Sequence, residues 1–125
     1  MVESVVIGNR ARHARQNIAF KLFGGIHDLP GGDLLLAKEV LQHLPTRTVL
    51  EYIPAIRAKY RYALLTNSTE PADIANTDIA PGGYRPLRLD APPFAVPGAK
   101  IFTYFPQAGS YMWKNVVYLV MGDAR

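Results

Sequence analysis

Residues 33–45 read DLLLAKEVLQHLP. An acid, Asp33, opens an unbroken apolar run from Leu34 to Ala37. A run without alternation is the pattern of a strand buried on both faces of a parallel sheet. Asp33 itself suits a strand-start carboxylate bonding the Gly31-Gly32 turn before it. Lys38 and Glu39 close the run, and residues 38–44 turn helically until Pro45 stops them. Polar residues just past a strand's carboxyl end are where open α/β sheets gather ligands.

Working outward, the spacing predicts a helix over 5–16 and a strand over 18–23, where IAFKLF alternates and ends at Gly24-Gly25. Thr46 is placed as the N-cap of the next helix. Val49, Leu50, Ile53 and Ile56 then follow helical spacing, with Pro54 expected to kink the helix or start a new turn. Residues 61–66, RYALLT, are the next strand. Residues 67–97 are turn-rich, and a loop of that length in a compact domain is functional or disordered. Ile79, Leu87, Leu89 and Phe94 imply that it packs down. Strands over 100–105 and 115–120 follow, pairing antiparallel in the simplest topology. The expectation is an α/β chain with an open mixed sheet and an antiparallel end.

The 125 residues make one domain. With 49% hydrophobic and 19% charged residues, the balance is globular. No cysteine is present, which excludes disulfides, thiolate metal sites and cysteine nucleophiles. Three dispersed histidines without ligand-spaced acids give no metal signal. No run approaches the roughly 20 apolar residues of a membrane span, and the first residues lack a signal-peptide layout. A cytoplasmic location is the default. The net charge is +4, and the tightest basic groups are Arg10, Arg12, Arg15 and Arg57, Lys59, Arg61. They are sparser than a nucleic-acid footprint and read as solvated helix faces.

The 33–45 segment resembles strand four of class I S-adenosylmethionine-dependent methyltransferases. The resemblance continues through YALLTNS at 62–68 and is most specific at NTDIAPGGYRPLRLDAPPF, 76–94. It ends with two strands carrying a lysine, Lys114, between them, and covers roughly residues 18–120. It implies a truncated Rossmann-like methyltransferase sheet, one partial domain over 1–125, that takes S-adenosyl-L-methionine as cofactor and a methyl acceptor, small or macromolecular, as partner. The family's opening strand and glycine-rich turn, which lets the backbone approach the cofactor, have no counterpart here. In the family that first strand lies beside the fourth. Its absence leaves an open edge that invites self-association or pairing with a partner. A non-catalytic interaction module is therefore the second reading, and an accessory domain linked to glycosyltransferases a third. Cofactor binding by this chain is expected to be weak or absent.

By resemblance, Asp28, Lys38, Glu39 and Val40 line the cofactor. His43 is a candidate general base, since its ordinary pKa suits neutral pH. Asp78 and Arg85 are candidate catalytic residues, and Asn76 and Tyr84 candidate substrate contacts. An arginine pairs well with a carboxylate or phosphate. Each has a plain structural alternative: Lys38 and Glu39 a surface pair, His43 a cap on its own turn, Asp78 and Arg85 a pair holding the loop, Asn76 a local turn bond. Tyr84 and Trp113 are both candidate ligand contacts, with burial the commoner case for such aromatics. His13 and His27 are expected to be exposed.

Overall fold

The computed structural model describes residues 3–69, 75–106 and 114–123. Helix α1 spans Glu3–His13, strand β1 Gly32–Lys38, helix α2 Thr46–Lys59, β2 Tyr60–Thr69, β3 Ala99–Tyr104 and β4 Lys114–Met121. Short 3-10 turns occupy Ile26–Asp28 and Leu41–His43. The four strands form one sheet in the order β1-β2-β4-β3. β1 runs parallel to β2, while β2–β4 and β4–β3 are antiparallel. The expected open mixed sheet with an antiparallel end is therefore observed.

The parallel pair arises because α2 carries the chain from the end of β1 back to the start of β2. Its buried residues Val49, Ile53 and Ile56 recur at helical spacing and pack on one sheet face with Ala63, Leu65, Tyr118 and Val120. The 87–96 segment closes this core with Leu87, Leu89, Phe94 and Val96. Each such side chain contributes about 1.5–3 kcal/mol on burial. The long loop thus packs down as its apolar residues imply. Backbone bonds hold it: Leu87 N–H donates to Ser68 O and Val96 N–H to Leu89 O. The Tyr118 hydroxyl donates to Val96 O at 2.8 Å.

Four expectations need correction. β1 is parallel, but it is an edge strand and not a buried one. Leu34 and Leu36, 50% and 68% exposed, lie on the face opposite α2, together with the exposed Phe102 and Met121. An apolar run specifies strand character, but the neighbours that would bury it are set by topology. Residues 18–23 form no sheet strand. Ile18 makes an isolated bridge with Arg15, and Arg10 Nε donates to Phe20 O at 2.7 Å. Alternation favours a strand only where another strand offers its edge. α1 ends at His13, short of residue 16. Pro54 lies inside α2, which is assigned as one helix from Thr46 to Lys59. Asp33 is exposed and makes no bond to the Gly31-Gly32 turn among the described residues.

The basic groups are partly engaged. Arg57 pairs with Asp123 at 2.6 Å. Lys59 Nζ donates to the carbonyls of Ile26, His27 and Leu29, tying that turn to the end of α2. His13 is exposed, as is His27, which contacts Glu51 at 3.0 Å. Among the described residues no helix is long and apolar enough to cross a membrane.

Candidate functional site

The carboxyl ends of β1 and β2 gather most of the polar candidates. β1 stops where Glu39 takes a left-handed backbone, φ 54°, and donates its N–H to Thr66 O at 2.8 Å. This turn aims the Glu39 side chain across β2, where Oε1 accepts from Asn115 Nδ2 on β4. Asn115 is fully buried. Its Oδ1 accepts from the Ser68 hydroxyl at 2.8 Å, and its Nδ2 also donates to the Tyr104 hydroxyl at 3.3 Å. Glu39 is therefore part of a network across β1, β2, β4 and β3, not a surface pair with Lys38. Lys38 is exposed.

The second half of the site is built from the turn after β1 and the 78–85 segment. Gln42 is buried; its Oε1 accepts from Ser68 N–H at 2.7 Å, and its backbone carbonyl accepts from Arg85 N–H at 3.2 Å. His43 Nδ1 lies 2.9 Å from Gly83 O. A carbonyl only accepts, so Nδ1 carries the proton and Nε2 keeps the basic lone pair in the neutral ring. The His43 ring lies 5.7 Å from that of Tyr84, which is 42% exposed and so is not a buried aromatic. His43 thus bonds across 40 residues instead of capping its own turn.

Asp78 does what Thr46 was expected to do. Thr46 is the first residue of α2, and Pro45 before it provides no side-chain cap. Asp78 Oδ1 accepts from Thr46 N–H at 2.8 Å and from Ile79 N–H at 2.9 Å. A carboxylate at a helix amino terminus satisfies a first-turn donor and meets the positive end of the helix dipole. The bond from Thr46 N–H, then that from Ile79, hold the Asp78 pKa below its ordinary value of 3.8.

Arg85 is 2% exposed. Its NH1 lies 4.0 Å from Asp78 Oδ1, an ion pair without a hydrogen bond. None of its three guanidinium nitrogens has a hydrogen-bond partner among the described residues. Burial pushes the Arg85 pKa down, and Asp78 opposes the shift. Asn76 makes no local turn bond. Its Nδ2 donates to the carbonyls of Arg88, Ala91 and Pro92, and its Oδ1 accepts from Arg88 N–H at 2.8 Å. It is a brace of the 88–92 turn, with its amide groups used internally. Trp113 lies outside the described residues.

The proposed cofactor residues divide. Val40 lines an apolar depression with Phe23, Gly25, Ile26, Leu29 and Tyr52. The carboxylates nearby are partly engaged within the chain: Asp28 Oδ2 accepts from Gly24 N–H at 3.0 Å, and Glu39 Oε1 from Asn115 Nδ2. The second oxygen of each keeps its acceptor capacity. Among the described residues these groups alone do not make up a site that fits S-adenosyl-L-methionine.

The arrangement brings together His43, Tyr84, Arg85 and Asp78, with Glu39 on the far side of Gln42 and Ser68. Sequence reading missed Gln42, Ser68 and Asn115 as site members. The available signal was polar residues at the ends of otherwise apolar strands, where a buried polar group needs partners. The chain is thus an α/β fold with a polar site at the carboxyl ends of its parallel strands. Comparison of the chain with protein-family models, with curated proteins and with solved structures gives no match.

Proposed function

We propose that the chain is the acceptor-side portion of a Rossmann-like, S-adenosylmethionine-dependent methyltransferase domain, and that the cofactor-holding strands pair along β1 within the same polypeptide. The observation that carries this reading is the state of β1. It is a parallel strand, yet it stands at the sheet edge with Leu34 and Leu36 exposed. Parallel strands are ordinarily covered on both faces, and an open apolar edge is a liability that folds normally hide. The resemblance expects its fourth strand here, and expects the missing first strand beside it.

The polar groups at the carboxyl ends of β1 and β2 support the same reading, because open α/β sheets bind ligands there. His43 Nε2 carries the ring's lone pair, turned toward Gln42 Nε2 at 3.5 Å, and can take a proton from an acceptor that displaces that contact. Methyl transfer asks for little more than alignment of the acceptor with the methyl group. A cytoplasmic enzyme is the setting that goes with this reading.

Isothermal titration with S-adenosylhomocysteine tests it. The 125-residue chain alone should show no binding up to about 1 mM, while the product carrying the preceding strands should bind at micromolar concentration. Micromolar binding by the isolated chain, or none by the longer product, would overturn the proposal.

A second reading, an interaction module that pairs through β1, rests on the same open edge. Under it the chain forms stable, concentration-dependent oligomers by light scattering, and Leu36→Lys dissociates them.

A further inference from the structure

A buried guanidinium with no hydrogen bond is costly, by several kcal/mol in a typical interior. Folds retain such a group where something else uses it. Arg85 is held in place by its N–H bond to Gln42 O and lies between core residues and the amino end of α2. It is buried, and none of its side-chain nitrogens is hydrogen-bonded among the described residues. The 14-residue helix α2 directs its first amide, Thr46 N–H, at the Asp78 oxygen that also faces Arg85. Val49 N–H is the first to bond back along the chain, to Pro45 O. The Arg47 and Thr48 amides have no acceptor within the helix, as at any helix start.

The space between these two positive features holds one carboxylate oxygen, Asp78 Oδ1. It sits 2.8 Å from Thr46 N–H but 4.0 Å from Arg85 NH1. Asp78 comes no closer to the guanidinium because the same oxygen is tethered by the N–H of Ile79, its chain neighbour. A free oxyanion carries no such tether. Its oxygens can reach a helix amide and a guanidinium at once, the pairing that both groups favour. The Asp78 side chain is 70% exposed, so its seat opens to solvent.

We propose that Arg85 and the amino-terminal turn of α2 form a binding site for an oxyanion, a carboxylate or phosphate group of a ligand, and that the Asp78 carboxylate holds that seat in the ligand-free chain. The site stands on this geometry independently of the methyl-transfer reading. Where that reading holds, it gives the class of acceptor: a molecule bearing a carboxylate or a phosphate.

The test is titration calorimetry of the purified chain with inorganic phosphate and, separately, acetate, at low ionic strength. Asp78→Ala empties the seat and removes a repelling charge, and should tighten binding about tenfold or more. Asp78→Asn, which keeps the side-chain shape, should also tighten it and serves if the alanine variant does not fold. Arg85→Gln, checked for folding by circular dichroism, should abolish binding in the native and the Asp78→Asn backgrounds. Preference for phosphate or for acetate identifies which oxyanion the seat takes. Binding that survives Arg85→Gln overturns the proposal, as does the absence of binding of both anions to the Asp78→Asn chain. Neither result depends on S-adenosylhomocysteine.

Discussion

Replacing Asn115 should cost more than any other single polar substitution in the site. Its amide is fully buried and joins three strands through Glu39, Ser68 and Tyr104. Asn115→Ala removes a hydrogen bond to a carboxylate, worth about 1.5–3 kcal/mol, and two with hydroxyls, each worth about 0.5–1.5 kcal/mol. The loss should be about 2.5–6 kcal/mol. For 125 residues the unfolding entropy is about 0.26 kcal/mol/K, so Tm should fall by about 10–23 °C. Asn115→Asp keeps the shape but sets a carboxylate against Glu39. Two close carboxylates in a buried site do not both ionise easily. The introduced acid therefore has a raised folded pKa. Its penalty is full at neutral pH and shrinks as pH falls and the acid takes up a proton. Glu39→Gln in the same chain should restore part of the loss. Thermal unfolding followed by circular dichroism at pH 7 and pH 5 reads all three variants. A Tm change below about 2 °C for Asn115→Ala, or an Asn115→Asp variant no less stable at pH 7 than at pH 5, would refute the network.

Other expectations follow from single positions. Leu65→Ala, at a fully buried site of the core face, should cost about 2–5 kcal/mol, whereas Leu36→Ala on the open face should stay within about 0.5 kcal/mol; urea unfolding compares them. Gly31 has φ +81°, and a Cβ there would lie 2.8 Å from Lys59 O, so Gly31→Ala should lose at least about 1–2 kcal/mol, seen as a lower urea midpoint. The Asp78 carboxyl has a depressed folded pKa. Its contribution is therefore present above the ordinary 3.8 and lost as pH falls through the lower folded value. Asp78→Asn should remove that acid limb from a plot of stability against pH.

Much of the fold was legible in local pattern. The DLLLAK run, the α2 spacing and the two terminal strands all correspond to observed elements, because each carries its own periodicity. What a strand lies next to was not legible. The run at 34–37 reads as buried, yet among the described residues β1 has a neighbour on one side only. IAFKLF alternates as a strand does, yet no sheet edge takes it up. The Pro45–Thr46 helix start shows the same limit, since its cap, Asp78, comes from 32 residues away. In the site, His43 and Arg85 were visible as chemistry-bearing residues. Their joining through Gln42 and Gly83 was not, because it depends on the 78–85 segment folding back over the turn after β1. Asn115 carried no signal stronger than a polar residue at a strand end, although it is the most deeply buried polar group of the network.

The proposed seam between this sheet and the cofactor-holding strands of the same polypeptide is β1. The natural transcript, read upstream of the Met1 codon, tests it most directly. An in-frame extension encoding a strand followed by a glycine-rich turn is expected. A stop codon closing the frame immediately upstream would contradict it, and the open edge would then belong to a non-catalytic protein that pairs through β1.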